Sequence, residues 1–392
     1  MERIGIYGGT FNPPHVGHIR AAQYAIEELG LEKLLLVPSC ISPHKVLPEQ
    51  SPTPEQRAAM LRLAAEEKME VSDIELSRGG KSFTFETVEI LAARYPDKEL
   101  VLFMGTDMFL TFLDWREPQR ILRCASIGVF YRSDKDDLAQ IAAQKARIEA
   151  SGAAVYLVNN PVTEVSSTQL RRLLAFRCAD DYLPEGVGAY IQHNNLYGTG
   201  ENCRHLSMEK LEQKVVSLLK PDRVAHVLGC RDTARELARL WGADETDAAR
   251  AGMLHDVTKA LDGTMQLTLC REYGIVLNEF SRKNPKTLHA LTGSLVAERI
   301  FGENQNVVNA ICSHTTGKAN MNTLEKILYV ADYMEPNRDF PGVEELRKLA
   351  YTDLDKALKL GLQMTLRLLE QRGEDISPES AEALAFLQET GV

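Results

Sequence analysis

The chain has 392 residues, 44% of them hydrophobic and 26% charged, with a formal net charge of −10. That is the make-up of an ordinary globular protein of two or three domains, and its acidic balance argues against a broad nucleic-acid-binding surface. There is no apolar run long enough to span a bilayer and no secretory signal, and seven scattered cysteines without a C-x-x-C pair read as reduced thiols of a cytoplasmic protein.

In the first half, strand-like and helix-like segments alternate. Arg3–Tyr7 reads as a strand and residues 19–29 as a helix. Between them lies Gly8-Gly9-Thr10-Phe11-Asn12-Pro13-Pro14-His15-Val16-Gly17-His18. Glycines let backbone approach a ligand, a helix start offers free N–H groups to an anion, and two histidines three apart can share a face. Further strands are expected at 34–38, 69–76, 99–104, 126–131 and 154–158. A helix opens at the Thr53-Pro54-Glu55-Gln56 capping box and runs to about 67, and another spans 83–95. The alternation predicts a Rossmann-like parallel α/β sheet with ligands at the carboxyl ends of its strands. Ser166, Ser167 and Thr168, followed by Arg171, open one more helix and offer a second phosphate-binding start.

These two stretches resemble the paired signatures of the nucleotidyltransferase superfamily. Within it, residues 1–197 resemble the bacterial nicotinate-nucleotide adenylyltransferases, with comparable elements at Pro43-His44-Lys45, Lys81-Ser82-Phe83-Thr84, Gly105-Thr106-Asp107 and Trp115. Trp115 is followed by Arg116 where that family often has tyrosine. The resemblance implies ATP plus nicotinate mononucleotide giving deamido-NAD and pyrophosphate, with Mg²⁺; the rival reading is a cytidylyl transfer or adenylyl transfer to another mononucleotide acceptor. It places ATP on Gly8, Gly9, Thr10, Phe11, His15, His18, Lys45, Ser166, Ser167, Thr168 and Arg171, and the mononucleotide on Thr84, Gly105, Asp107 and Trp115. The acceptor phosphate is already ionised, so the reaction needs alignment and charge neutralisation more than a base. His15 and His18 suit the role of donors to phosphate oxygens; metal ligation by the pair is the rival role.

Residues 198–206 read as a polar linker, and His193 and His205 beside it as surface residues. From Ser207 onward helical periodicity dominates, predicting an all-α domain over 207–392, with helices at 224–240, 248–260, 288–300, 307–313 and 324–334. Here His226, His255-Asp256 and Asp332 supply a mixed nitrogen and oxygen set for Fe, Mn, Zn or Mg, and His289 and His314 a second metal or a substrate phosphate. Lys259, three residues after Asp256, is expected on the same helix face.

The order of these residues resembles the HD-domain metal-dependent phosphohydrolases. Arg223-Val224-Ala225-His226, His255-Asp256-Val257-Thr258-Lys259, His314-Thr315-Thr316-Gly317 and Val330-Ala331-Asp332-Tyr333-Met334-Glu335-Pro336 are similar to the bacterial YqeK-type symmetrical diadenosine tetraphosphate hydrolases. That resemblance implies His226, His255, Asp256 and Asp332 as ligands of iron, manganese or another divalent metal. A dinucleoside polyphosphate is then the substrate, with Arg223, Lys259, Thr315 and Arg338 as contacts to it. The rival readings of this half are a nucleotidase of broad range and a nucleotide sensor without turnover. The partners expected are therefore nucleotides, with no nucleic acid and no membrane; a homo-oligomer is left open.

Overall fold

The computed structural model describes residues 2–43, 47–48, 50–133, 136–163 and 165–392. They fall into two compact units, Met1–Glu201 and Asn202–Val392; the cut lies inside the stretch 198–206.

Among its described residues the first unit holds six strands: β1 Arg3–Gly9, β2 Lys33–Pro38, β3 Met69–Val71, β4 Glu99–Gly105, β5 Ser126–Phe130 and β6 Val155–Val158. All neighbouring pairs are parallel, in the order β3-β2-β1-β4-β5-β6. The helices are α1 Val16–Leu29, α2 Pro54–Ala64, α3 Ile74–Arg78, α4 Thr84–Arg94, α5 Thr106–Leu110, α6 Pro118–Cys124, α7 Leu138–Glu149, α8 Ser167–Ala175 and α9 Val187–His193. Strand order reverses between β1 and β4, and in such sheets the crevice beyond that reversal receives the ligand.

Helices cover the sheet, so its strands are almost continuous apolar runs. On one face Ile4, Ile6, Leu35, Val37, Leu100, Leu102, Ile127 and Val129 pack against Phe85, Val88 and Leu91 of α4 and Ile141 of α7. Each such fully buried side chain stabilises the fold by about 1.5–3 kcal/mol. At Gly128 a Cβ would overlap the Phe103 ring, which stacks on Phe130 with centroids 5.1 Å apart. Any side chain at that position forces the ring out of place.

Two local expectations are corrected, and one falls outside the described residues. The strand expected over 69–76 ends at Val71; the chain then turns and Ile74–Arg78 forms α3, because Ser72 N–H caps the ladder on the Leu36 carbonyl and Ser77 N–H already bonds the Asp73 carbonyl. Lys45 lies outside the described residues, as does His44. The helix expected over 248–260 stops at Leu254, and His255–Leu261 runs in successive i→i+3 turns (Val257 to Leu254, Lys259 to Asp256, Leu261 to Thr258). The Thr258 hydroxyl bonds the His289 carbonyl at 3.1 Å, tying this segment to another helix.

The second unit has no strand among its described residues. Its helices are α10 Met208–Leu218, α11 Val224–Trp241, α12 Glu245–Leu254, α13 Gly263–Glu272, α14 Glu279–Lys283, α15 Leu288–Val296, α16 Gln305–Ser313, α17 Thr323–Met334, α18 Val343–Ala350, α19 Leu354–Arg372 and α20 Pro378–Glu389. α15 passes into a π-helical turn, Ala297–Phe301, where 288–300 was expected to be one α-helix. Helices α11, α12, α15, α16 and α17 pack together and bring polar residues from their lengths and ends to a shared centre. All seven cysteines are free thiols, and no helix is long and apolar enough to cross a membrane among the described residues.

Candidate functional site

A cavity of about 450 Å³ opens at the carboxyl ends of β1 and β4. Its walls include Gly8, Gly9, Thr10, Phe11, His15, His18, Thr84, Gly105, Asp107, Trp115, Ser166, Ser167, Thr168 and Arg171. Every described residue of the two expected nucleotide sets therefore meets in one place.

His15 is the N-cap of α1 and His18 lies in its first turn. The His15 backbone N–H donates to His18 Nδ1 at 3.2 Å, so in the neutral ring the proton of His18 sits on Nε2. The two rings stack with centroids 3.5 Å apart. His15 is buried, and neither of its ring nitrogens has a hydrogen-bond partner among the described residues. Burial and the nearby Arg132 charge pull its pKa down to about 3, so it is a neutral imidazole. Two orphaned ring nitrogens at a cavity wall are costly unless something that enters the cavity uses them.

The second helix start is joined to the first. Ser166 caps α8, accepting from Gln169 N–H at 3.2 Å. Ser167 Oγ donates to the Pro13 carbonyl at 3.1 Å. Arg171 donates to the Asn12 carbonyl at 2.8 Å and to Thr168 Oγ1 at 3.1 Å. Nothing in the sequence marks two further cations. Arg132, just past β5, lines the cavity with Nε 3.7 Å from Asp107 Oδ1. Arg57, on α2, lies beneath the Thr10 loop. A buried carboxyl, Glu75, also reaches the wall; burial pushes its pKa up, against its bond from Thr87 Oγ1 at 2.7 Å.

In the second unit His226, His255 and Asp332 form one group able to share a metal ion, and His255, Asp256 and His314 another. His226 Nε2 is 3.1 Å from Asp332 Oδ1, 3.2 Å from His255 Nε2 and 3.7 Å from Asp256 Oδ2. Asp256 Oδ1 is 3.5 Å from His289 Nε2 and 3.9 Å from His314 Nε2. The other ring nitrogens fix the tautomers. Nδ1 of His226 faces Glu335 Oε1 at 3.1 Å; Nδ1 of His255, His289 and His314 faces the carbonyls of Gly252, Lys286 and Ile311 at 2.7, 2.8 and 2.7 Å. Each Nδ1 therefore carries the proton, and each Nε2 presents a lone pair to the centre. Lone pairs of His226 and His255 at 3.2 Å cannot bond each other; a cation between them resolves the clash.

The charges agree with that. Burial alone raises the Asp332 and Asp256 carboxyls. The cations beside them outweigh this, Arg338 for Asp332 and Lys259 for Asp256, so both lie below the usual range. Burial pulls His289 to about 3 and His314 to about 4, so both are neutral ligands near neutral pH. Four imidazole lone pairs with two ionised carboxylates fit a divalent transition metal. Around them, Arg223 bonds Asp256 Oδ2, and Arg338 bonds Asp332 Oδ1 at 2.7 Å. Lys259 Nζ is 2.8 Å from His289 Nε2, and Thr315 Oγ1 lies 3.1 and 3.2 Å from His289 and His314. Lys259 comes in from a turn, not from the helix face that its spacing implied. Glu335 stands in the quoted motif without a role; three residues past Asp332, at the end of α17, it gains one as the partner of His226. His193 and His205 are exposed.

Comparison with known proteins divides at the same place. A cytidylyltransferase-like family model matches residues 6–173 and an HD-domain model matches 223–337. The chain is 36% identical over 209 residues to the "Probable nicotinate-nucleotide adenylyltransferase" of Symbiobacterium thermophilum, covering 52% of this chain and 98% of that one. It is 40% identical over 172 residues to the symmetrical bis(5'-nucleosyl)-tetraphosphatase of Halalkalibacterium halodurans, covering 43% and 91%. The protein of the same name in Bacillus subtilis is 38% identical over 164 residues, covering 41% and 87%. The chain thus belongs to two families at once: a cytidylyltransferase-like first half akin to nicotinate-nucleotide adenylyltransferases, and an HD-domain second half akin to symmetrical bis(5'-nucleosyl)-tetraphosphatases.

Proposed function

We propose that the protein is a bifunctional enzyme. The first half transfers the adenylyl group of ATP to nicotinate mononucleotide, giving deamido-NAD and pyrophosphate; the second cleaves diadenosine tetraphosphate with water into two ADP. The observation that carries the reading is the contrast between histidines. In the first cavity His18 holds a proton on Nε2 and His15 has unused ring nitrogens, while in the second unit Nε2 of His226, His255, His289 and His314 is a lone pair beside carboxylates.

In the first half, an oxygen of the acceptor phosphate attacks the α-phosphorus of Mg²⁺-bound ATP and the α–β bridging bond breaks. His15 and His18 donate to the phosphate oxygens as charge moves toward pyrophosphate, which is stabilisation of the transition state. Arg171, Arg132 and the Ser166–Thr168 helix start neutralise the polyphosphate, and Thr84, Asp107 and Trp115 hold the mononucleotide. In the second half His226, His255, Asp256 and Asp332 hold a divalent metal. When bound, such a metal polarises phosphoryl oxygen and acidifies water. Glu335 fixes the His226 ring, and Lys259, Arg223 and Arg338 take up phosphate charge. The pairing has a chemical logic: adenylyl transfer to a second ATP makes diadenosine tetraphosphate, which the second site removes.

Purified full-length protein with ATP, Mg²⁺ and nicotinate mononucleotide should form deamido-NAD, and nicotinamide mononucleotide or CTP should replace its partner poorly. Metal-loaded protein with diadenosine tetraphosphate should release ADP alone. ATP and AMP as products contradict symmetric cleavage, and binding without turnover makes the second half a sensor.

A further inference from the structure

Arg57 is a long cation at 1% exposure, and its surroundings are unusual. Nη1 donates to the Thr10 carbonyl at 2.6 Å, and Nη2 to the carbonyls of Ser39 and Cys40 at 2.6 and 3.1 Å. Its Nε is buried with no acceptor among the described residues. No carboxylate appears among these partners. Buried charges are ordinarily paired, and breaking that rule costs several kcal/mol of desolvation; burial accordingly pulls its pKa down.

Its position makes the exception meaningful. Thr10 follows β1, and Ser39 and Cys40 follow β2, so one guanidinium ties together the carboxyl ends of two adjacent strands at the cavity floor. The Gly9 carbonyl is taken by Ser39 N–H at 2.9 Å. With Thr10's carbonyl held by Arg57, the loop's two nearest carbonyl dipoles are engaged with protein and do not face an anion.

We propose that Arg57 is a positioning residue for polyphosphate: it locks the Thr10 carbonyl away from the cavity and supplies from beneath a positive charge whose counterion is the bound polyphosphate. This rests on the adenylyl-transfer reading for its reaction, but it is tested on binding.

The test uses full-length Arg57→Lys and Arg57→Gln, with diadenosine tetraphosphate hydrolysis by the other unit as an internal control. Calorimetry without acceptor should show binding of ATP and of inorganic pyrophosphate weakened by about tenfold in Arg57→Lys, which lacks the planar fork that spans the two strand ends, and further in Arg57→Gln. In turnover, KM for ATP should rise while KM for the mononucleotide stays within about twofold. A folded Arg57→Lys that binds both ligands as tightly as wild type overturns the proposal. A wild type that binds ATP, is weakened by these substitutions and yet transfers nothing sinks the adenylyl-transfer reading and leaves this one standing; one that binds neither ligand overturns both. If neither variant folds, the wild-type Arg57 Nε–H resonance decides. It should shift on pyrophosphate addition, and a fixed resonance overturns the proposal.

Discussion

The two halves use the same side chain in opposite ways. In the α/β unit a backbone N–H occupies His18 Nδ1, which leaves a donor at the far end of the ring. In the helical unit, carbonyls and a carboxylate occupy four Nδ1 atoms, which leaves four lone pairs. In the proposed reading, what touches the near nitrogen decides whether the far one meets a phosphate oxygen or a metal. The charges around each site differ too: Arg132 and Arg171 line the first cavity beside Asp107 and Glu75, with Arg57 beneath the Thr10 loop, and Asp256 and Asp332 sit among the imidazoles of the second.

The sharpest break comes from removing a ligand. His255→Ala leaves Asp256 and Asp332 without the lone pair common to both metal groups. Diadenosine tetraphosphate hydrolysis should fall by about 10³-fold or more while adenylyl transfer stays within about twofold; matching losses in both activities end the comparison. Next is His18→Ala, which removes one donor to the transferring group. Turnover should drop by about 10²–10³-fold with ATP binding nearly kept, as steady-state kinetics beside calorimetry will show. Glu335→Gln keeps the shape but weakens the grip on His226 Nδ1. Metal affinity, measured by competition with a chelator, should fall by about 10–100-fold.

The smallest effect concerns pH. His15 has a folded pKa of about 3 against an ordinary value of 6.5. The unfolded chain therefore takes up a proton first, and the stability of the folded state is complete above 6.5 and lost as pH falls toward 3. Between about pH 7.5 and 5.5 that loss is about 1 kcal/mol for this residue. Denaturant titrations of wild type and His15→Asn at the two pH values should differ by that amount, the variant losing less.

Much of this was legible in the chain. Parallel strands buried on both faces announce themselves as apolar runs, as Leu100–Met104 does within β4, and the capping box at Thr53 and Gln56 is present as read. Short-range signals marked the glycine turn, the cap hydroxyls and the His-Asp doublet, while the mononucleotide residues and the set of metal ligands came from the resemblance to known families. What escaped depends on chain crossings. Arg57 reads as one more solvated helix cation until α2 is laid under the Thr10 loop, and Arg132 needs β5 placed beside β4. The end of α12 at Leu254 escaped because helical spacing continues through Ala260 while the backbone, drawn by Thr258 to His289, tightens into turns.

The central claim, that the first unit's histidines donate and the second unit's ligate, is tested most directly by metal content. Purified wild type, a His15→Ala/His18→Ala double variant and His255→Ala would be compared for transition metal bound per chain. The account predicts equal content in the first two and loss in the third. A double variant that loses its metal, or a His255→Ala protein that keeps it in full, would contradict the account.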